Sequence, residues 1–290
     1  MEEKNKVMGA TLYLVATPIG NLADISERAK KVLSEVDFIA AEDTRNSVRL
    51  LTAYGIKNEL ISYHEHNKRE SGERILARLL SGESCAVITD AGMPAISDPG
   101  EDIVRLCSDA GITVSVIPGA SAAVSALSIS GLATSRFCFE GFLSAKAGER
   151  KKRLSSLAAE ERTIIFYEAP HKLRATLSDM AAAFGETRKI AICREITKLN
   201  EEVMRTTLNG AVAYYSEKEP RGEYVLVLEG CEEAGIYPKT EGEDIPPREQ
   251  VEALIADGMT KKDAIKEVAK RLGVPKSEIY DLMIDNRDDV

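Results

Sequence analysis

Two carboxylates and a guanidinium stand close together at Glu42, Asp43 and Arg45, and an imidazole follows at His64. Carboxylates and imidazoles can take a proton from a weak acid, and a guanidinium can stabilise the anion left behind. Spacing does not choose among the three bases, and Asp43 also stands where a helix N-cap belongs. His64 and His66 flank Glu65. An HxH pair can bind a metal, but a third ligand at usable spacing is missing, so a polar loop without metal is expected. His171, just after Pro170 at a helix start, reads as a cap or a packed ring.

Four loops follow apolar runs directly: Thr-Pro-Ile-Gly-Asn at 17–21, Ala-Glu-Asp-Thr-Arg at 41–45, the long polar turn 90–100, and Pro-Gly-Ala-Ser-Ala at 118–122. Small residues let a backbone approach a ligand closely, and prolines fix a loop's path. Any one of these loops by itself reads as a tight turn or cap, with Asp43, Ser97 or Asp98, and Ser121 at N-cap positions. Four on one sheet edge favour a site. What is absent narrows its chemistry. No two of the 20 glycines are separated by a single residue, so the dinucleotide GxGxxG fingerprint does not occur. Gly230 and Gly235 have P-loop spacing but lack the lysine that would follow. Neither a nicotinamide nor an ATP enzyme is supported.

The elements that must position these loops alternate. Apolar, β-branched strands at 12–16, 38–41, 86–89 and 114–117 are separated by helical patterns at 25–36, 47–54, 73–80 and 103–110. This order implies a parallel sheet covered on both faces, with ligands bound outside its carboxyl edge. A second series of strands at 137–142, 163–167, 189–193, 202–207 and 224–229 implies a mixed sheet, because three consecutive strands follow one another without long helices. Residues 232–247 hold Gly235, Pro238, Gly242, Pro246 and Pro247 among acids and read as a linker. Three short helices follow, with a helix-turn-helix look. The expected organisation is an α/β fold: an N-terminal α/β domain with a mostly parallel sheet (10–130), a C-terminal α/β domain with a mixed sheet (131–231), the linker, and a helical extension (248–290). The cleft lies between the two α/β domains.

Composition sets bounds. The chain has 290 residues, 44% hydrophobic and 29% charged, which is enough for sizeable cores. No apolar run approaches a membrane span, and residues 1–4 lack the cationic start of a signal peptide. Five dispersed cysteines without a CxxC pair suggest buried thiols in a reducing compartment, so a cytoplasmic protein is expected. The net charge of −9 argues against nucleic acid until its distribution is considered. Residues 241–290 carry 13 acids and 8 bases, whereas 146–153 hold five cations, Lys146, Arg150, Lys151, Lys152 and Arg153, against Glu149 alone. By itself that run reads as a solvated helix face.

Longer motifs then carry a resemblance. Leu-Val-Ala-Thr-Pro-Ile-Gly-Asn-Leu-Ala-Asp-Ile at 14–25, the 41–45 loop, Ser-Tyr-His-Glu-His-Asn at 62–67 and Thr-Asp-Ala-Gly-Met-Pro-Ala-Ile-Ser-Asp-Pro-Gly at 89–100 resemble the tetrapyrrole methylase superfamily, specifically its branch acting on small-subunit ribosomal RNA. So do Val-Ile-Pro-Gly-Ala-Ser-Ala at 116–122, Tyr-Glu-Ala-Pro-His-Lys-Leu at 167–173, Cys-Arg-Glu-Ile-Thr-Lys at 193–198 and the segment 222–230. The resemblance runs from about Thr11 to Gly230. It implies S-adenosyl-L-methionine folded between the domains, 2′-O-methylation of a cytidine in the decoding region of 16S rRNA, alone or in the assembled small subunit, and a homodimer. It also implies that Pro18, Asp90, Gly92, Pro94, Ser121 and Ala122 line the cofactor, closed over by Tyr167, Arg194 and the segment near Glu223 and Tyr224. In that light Lys146, Arg150, Lys151 and Arg153 become candidate RNA phosphate contacts, and Glu42, Asp43, Arg45 and His64 candidates for proton removal or alkoxide stabilisation. Two other readings stay open: a methyltransferase acting on a small tetrapyrrole precursor, and a non-catalytic RNA-binding assembly factor.

Overall fold

A computed structural model describes residues 6–231, 246–256, 258–272 and 274–283. The chain divides into two compact units, Met1–Glu232 and Glu233–Val290. Most of the expected linker lies outside the described residues.

In the first unit, apolar runs too short for helices pair as strands. β1 (Thr11–Val15), β2 (Phe38–Ala41), β3 (Leu60–Ser62), β4 (Cys85–Ile88) and β5 (Thr113–Ile117) form one sheet in the order β3-β2-β4-β1-β5. Every pairing in it is parallel. Successive side chains point to opposite faces, so Ile39 and Ala41 join one core with Val15, Val32 and Leu33. Phe38 and Ala40 join the other with Leu12, Ile75 and Ile103. Burial of each such Leu or Ile stabilises the fold by about 1.5–3 kcal/mol. The helices α1 (Glu27–Glu35), α2 (Thr44–Ala53), α3 (Lys68–Leu80) and α4 (Glu101–Asp109) supply those cores. The three-residue β3 escaped the sequence reading because it is too short to show alternation.

The next helix changes partners. α5 (Ala122–Ser130) starts on the loop after β5, yet Ala123, Ala126 and Leu127 pack against Ile165, Ala191, Val225 and Val227 of the second sheet. That sheet comprises β6 (Phe137–Phe142), β7 (Thr163–Glu168), β8 (Lys189–Arg194), β9 (Glu202–Thr207) and β10 (Tyr224–Leu228), in the order β6-β7-β10-β8-β9. β6 and β7 run parallel and the other pairings are antiparallel, so this sheet is mixed. Its other face is covered by α6 (Ala147–Ser156), α7 (Pro170–Phe184) and α8 (Leu208–Glu217). α8 corrects the expectation of three consecutive strands. Leu208, Ala211 and Tyr215 bury one of its faces, and Thr207 Oγ1 accepts the Gly210 N–H as its cap. Gly210 and two adjacent tyrosines had masked the helical pattern.

The second unit holds α9 (Pro247–Ala256), α10 (Lys261–Leu272) and α11 (Lys276–Leu282), closed around Val251, Ile265, Val268 and Ile279. No helix among the described residues is long and apolar enough to cross a membrane.

Candidate active site

Because β1, β2, β4 and β5 are parallel, the loops after them share one edge, and the structure stitches them together there. Thr17 and Gly92 exchange both backbone hydrogen bonds, at 2.9 and 3.1 Å, and Thr17 Oγ1 donates to the Thr89 carbonyl at 3.1 Å. The long turn after β4 is strained: Gly92, Ala95, Ser97 and Gly100 all have positive φ, at 86°, 68°, 64° and 152°. Non-glycine residues in that region cost about 1–3 kcal/mol each and concentrate at functional sites. At Gly100 a Cβ would lie 2.8 Å from the Ala95 nitrogen, so the loop needs glycine there.

These loops face the second sheet across a cavity of about 420 Å³. From the first side it is lined by Ile19, Glu42, residues 90–93 and 96–98 of the long turn, Ser121 and Ala122. From the second it is lined by Phe142, Tyr167 to Pro170, Ile196 and Glu223 to Val225. The Ala123 N–H donates to the Tyr167 hydroxyl at 3.1 Å, fixing a ring that Phe139 and Phe142 meet edge-on at 4.9 and 5.5 Å. Burial pushes the Tyr167 pKa up.

The site's electrostatics come from acids. Burial raises the Glu42 carboxyl, and the Asp90 and Asp43 charges add to it, against the Asp90 N–H it accepts at 3.4 Å. Asp90 accepts the Asn46 amide at 2.8 Å. Asp98 is pushed up to about 6, first by burial and then by the Glu42 and Asp90 carboxylates.

The structure thus brings Glu42, Asp90, Gly92, Ser121, Ala122 and Tyr167 around one cavity. Other candidates sit beside it. Pro18 and Pro94 are buried behind the lining. Asp43 caps α2, taking the Arg45 N–H at 2.9 Å and its guanidinium at 2.7 and 3.1 Å, and these bonds hold it at about 2. Arg45 therefore closes on Asp43 outside the cavity. The His64 Nδ1 is buried without a hydrogen-bond partner among the described residues, next to the lining but not part of it. Arg194 ties β8 to the Arg221 carbonyl at 2.7 Å and to Glu202 at 3.3 Å.

The basic run needs a correction. Arg150 is buried, paired with Asp179 on α7 at 2.7 Å and donating to the Ser144 and Ala145 carbonyls, so it locks α6 to α7 and is not the exposed phosphate contact the sequence suggested. Arg153 pairs with Glu140 at 2.7 Å and Lys146 with Glu149 at 3.0 Å. Lys151 and Lys152 stay exposed, with Lys151 3.6 Å from Asp179.

Sequence reasoning took Asp98 only for a possible cap of α4, but Gly100 holds that position. The pair of prolines bracketing residues 95–98 was the available signal that this stretch is held in place for something.

Two α/β sheets thus face each other across one cavity of small-ligand size, with the carboxyl edge of a parallel sheet as one wall. A family model described as Tetrapyrrole (Corrin/Porphyrin) Methylases matches residues 11–211. The chain is 46% identical to the Ribosomal RNA small subunit methyltransferase I of Synechocystis sp., over 94% of this chain and 97% of that one. To the protein of the same name from Bacillus subtilis (strain 168) it is 47% identical, over 93% and 92%. Among solved structures, uroporphyrin-III C-methyl transferase from Thermus thermophilus, complexed with S-adenyl homocysteine, shares the fold at a TM-score of 0.54 and 17% identity, covering 78% of this chain and 98% of that one. The chain belongs to the tetrapyrrole methylase family and is a methyltransferase.

Proposed function

We propose that the protein transfers a methyl group from S-adenosyl-L-methionine to the ribose 2′-oxygen of a cytidine in the decoding region of 16S rRNA, and that it works as a homodimer in the cytoplasm. What carries the reading is near full-length identity of 46% and 47% to two proteins named for methylating small-subunit ribosomal RNA. The cavity suits the cofactor. Its volume falls in the range for small-ligand sites. Ile19, Met93, Ile196 and Val225 offer apolar wall to a base, and the carboxylates of Glu42 and Asp90 suit a molecule that carries a sulfonium and an ammonium group. When bound, S-adenosyl-L-methionine supplies an electrophilic methyl on a sulfonium.

The residues of this chain do the rest. Gly92 and Ser121–Ala122 bring backbone to the ligand, while Tyr167, anchored by the Ala123 N–H, closes the cavity from the second sheet. The acceptor oxygen must be held in line at about 3 Å from the methyl carbon, an alignment that supplies much of the rate. The exposed Lys151 and Lys152 are the part of the basic run left to meet phosphate.

Incubation with radiolabelled S-adenosyl-L-methionine and either assembled small subunits, naked 16S rRNA or tetrapyrrole precursors tests the reading. Label confined to RNA, lost when the target carries a 2′-deoxyribose, is the expected result. Label on a tetrapyrrole, or on the deoxy substrate, overturns it. Sedimentation equilibrium tests the dimer.

A further inference from the structure

Five carboxylates line the cavity: Glu42, Asp90, Asp98, Glu168 and Glu223. Four of them already receive donors. Glu168 takes the Ala169 N–H at 2.8 Å, the Thr176 hydroxyl at 2.5 Å and Lys172 at 3.1 Å. Glu223 pairs with Lys198 at 2.8 Å and Asp90 with the Asn46 amide at 2.8 Å. Glu42 accepts the Asp90 N–H at 3.4 Å. Asp98 has no hydrogen bond or ion pair among the described residues, although it is half-buried on a loop whose backbone is strained at Ala95 and Ser97. Ser97 reaches the second sheet, where its Oγ lies within 3.0 Å of a Cβ placed on Gly141, so the loop sets Asp98 where the two walls meet.

We propose that Asp98 is the proton acceptor for the substrate hydroxyl, with one carboxylate oxygen left free to receive the 2′-OH. This rests on the proposed function and names a group in its site. In the step, the 2′-oxygen-to-carbon bond forms as the sulfonium-to-carbon bond breaks. The bonding pair stays on sulfur, giving neutral S-adenosylhomocysteine, and the hydroxyl proton passes to the Asp98 carboxylate, which later releases it to water. The groups facing Asp98 are Glu42 and Asp90 from the first wall and Tyr167 from β7. Burial first, and then the Glu42 and Asp90 carboxylates, make Asp98 a stronger base than a solvated aspartate. With its pKa near 6 it is still ionised at neutral pH, the compromise a general base needs.

The test uses the full chain with small subunits as substrate, single-turnover methyl transfer and calorimetry of S-adenosyl-L-methionine binding. Asp98→Asn should slow transfer about 100-fold or more, keep cofactor affinity within about twofold, and abolish the limb of the pH–rate profile that rises to a plateau just above pH 6. Asp98→Glu, which keeps a base, should recover part of the rate and a rising limb. Transfer within about threefold of wild type in Asp98→Asn overturns the inference, as does a loss of cofactor affinity that accounts for the slower rate. If Asp98→Asn does not fold, Asp98→Glu decides: a profile with its limb shifted supports the role, and an unchanged profile overturns it. A wild-type protein that labels no RNA overturns the proposed function and this inference together, whereas wild-type label with an unimpaired Asp98→Asn overturns the inference alone.

Discussion

At the scale of single residues, the cavity trades stability for chemistry. A carboxyl whose folded pKa is raised binds more protons in the folded state than in the unfolded one, so its contribution falls as pH rises from about 4 toward 6 and stays unfavourable above. Asp98, near 6 against an ordinary value of 3.8, is that case. Asp98→Asn should therefore raise the melting temperature, by more at pH 7.5 than at pH 4.5, as scanning calorimetry can measure. Gly92 makes the opposite point. It has φ +86°, and a Cβ there would lie 3.3 Å from Ile19 Cγ2 and 3.7 Å from the Ala120 carbonyl, both on cavity loops. Gly92→Val should weaken cofactor binding at least tenfold by calorimetry and cost about 1–3 kcal/mol in urea unfolding, while far-UV circular dichroism stays native. The cavity loops were legible in the sequence because small residues and prolines cluster after apolar runs. Which acid is left without a donor was not, because that depends on distances among residues 42, 90 and 98, which only folding brings together.

At the scale of elements, charge read along a helix misleads when a neighbouring element is unknown. α6 carries four cations in sequence, yet Asp179 of α7 takes Arg150 and lies 3.6 Å from Lys151, and Glu140 of β6 takes Arg153. A buried ion pair stripped of one partner leaves an uncompensated charge. Arg150→Ala should thus lower unfolding free energy by about 3 kcal/mol, while Lys152→Ala leaves the urea midpoint unchanged. A stable Arg150→Ala would mean the pair contributes little. Nine of the ten strands could be read from β-branched, apolar runs of four to six residues. β3 could not, and α8 was hidden because Gly210 and two tyrosines blur its apolar stripe. In both, tertiary packing decides what local pattern leaves open.

At the scale of the whole molecule, the two sheets are interlocked. α5 hangs from the first sheet and buries its apolar face on the second. The second sheet is completed by its last strand, since β10 lies between β7 and β8. A chain ending at Glu232 contains every element of the first unit and should bind cofactor as the full chain does, by calorimetry. A chain ending at Gly222 lacks β10 and should show no cooperative unfolding transition; native-like melting would overturn this reading of the sheet. That central position also governs how the protein is born. Synthesis runs from the N-terminus, so β7 and β8 leave the ribosome before the strand that joins them, each with one unpaired edge, and the underside of α5 waits for Val225 and Val227. Such edges recruit other chains. They are shielded only once Tyr-Val-Leu-Val-Leu at 224–228 slots between them, so a pause in translation after β8 has emerged from the ribosome and before β10 has would hold the nascent enzyme in an aggregation-prone form.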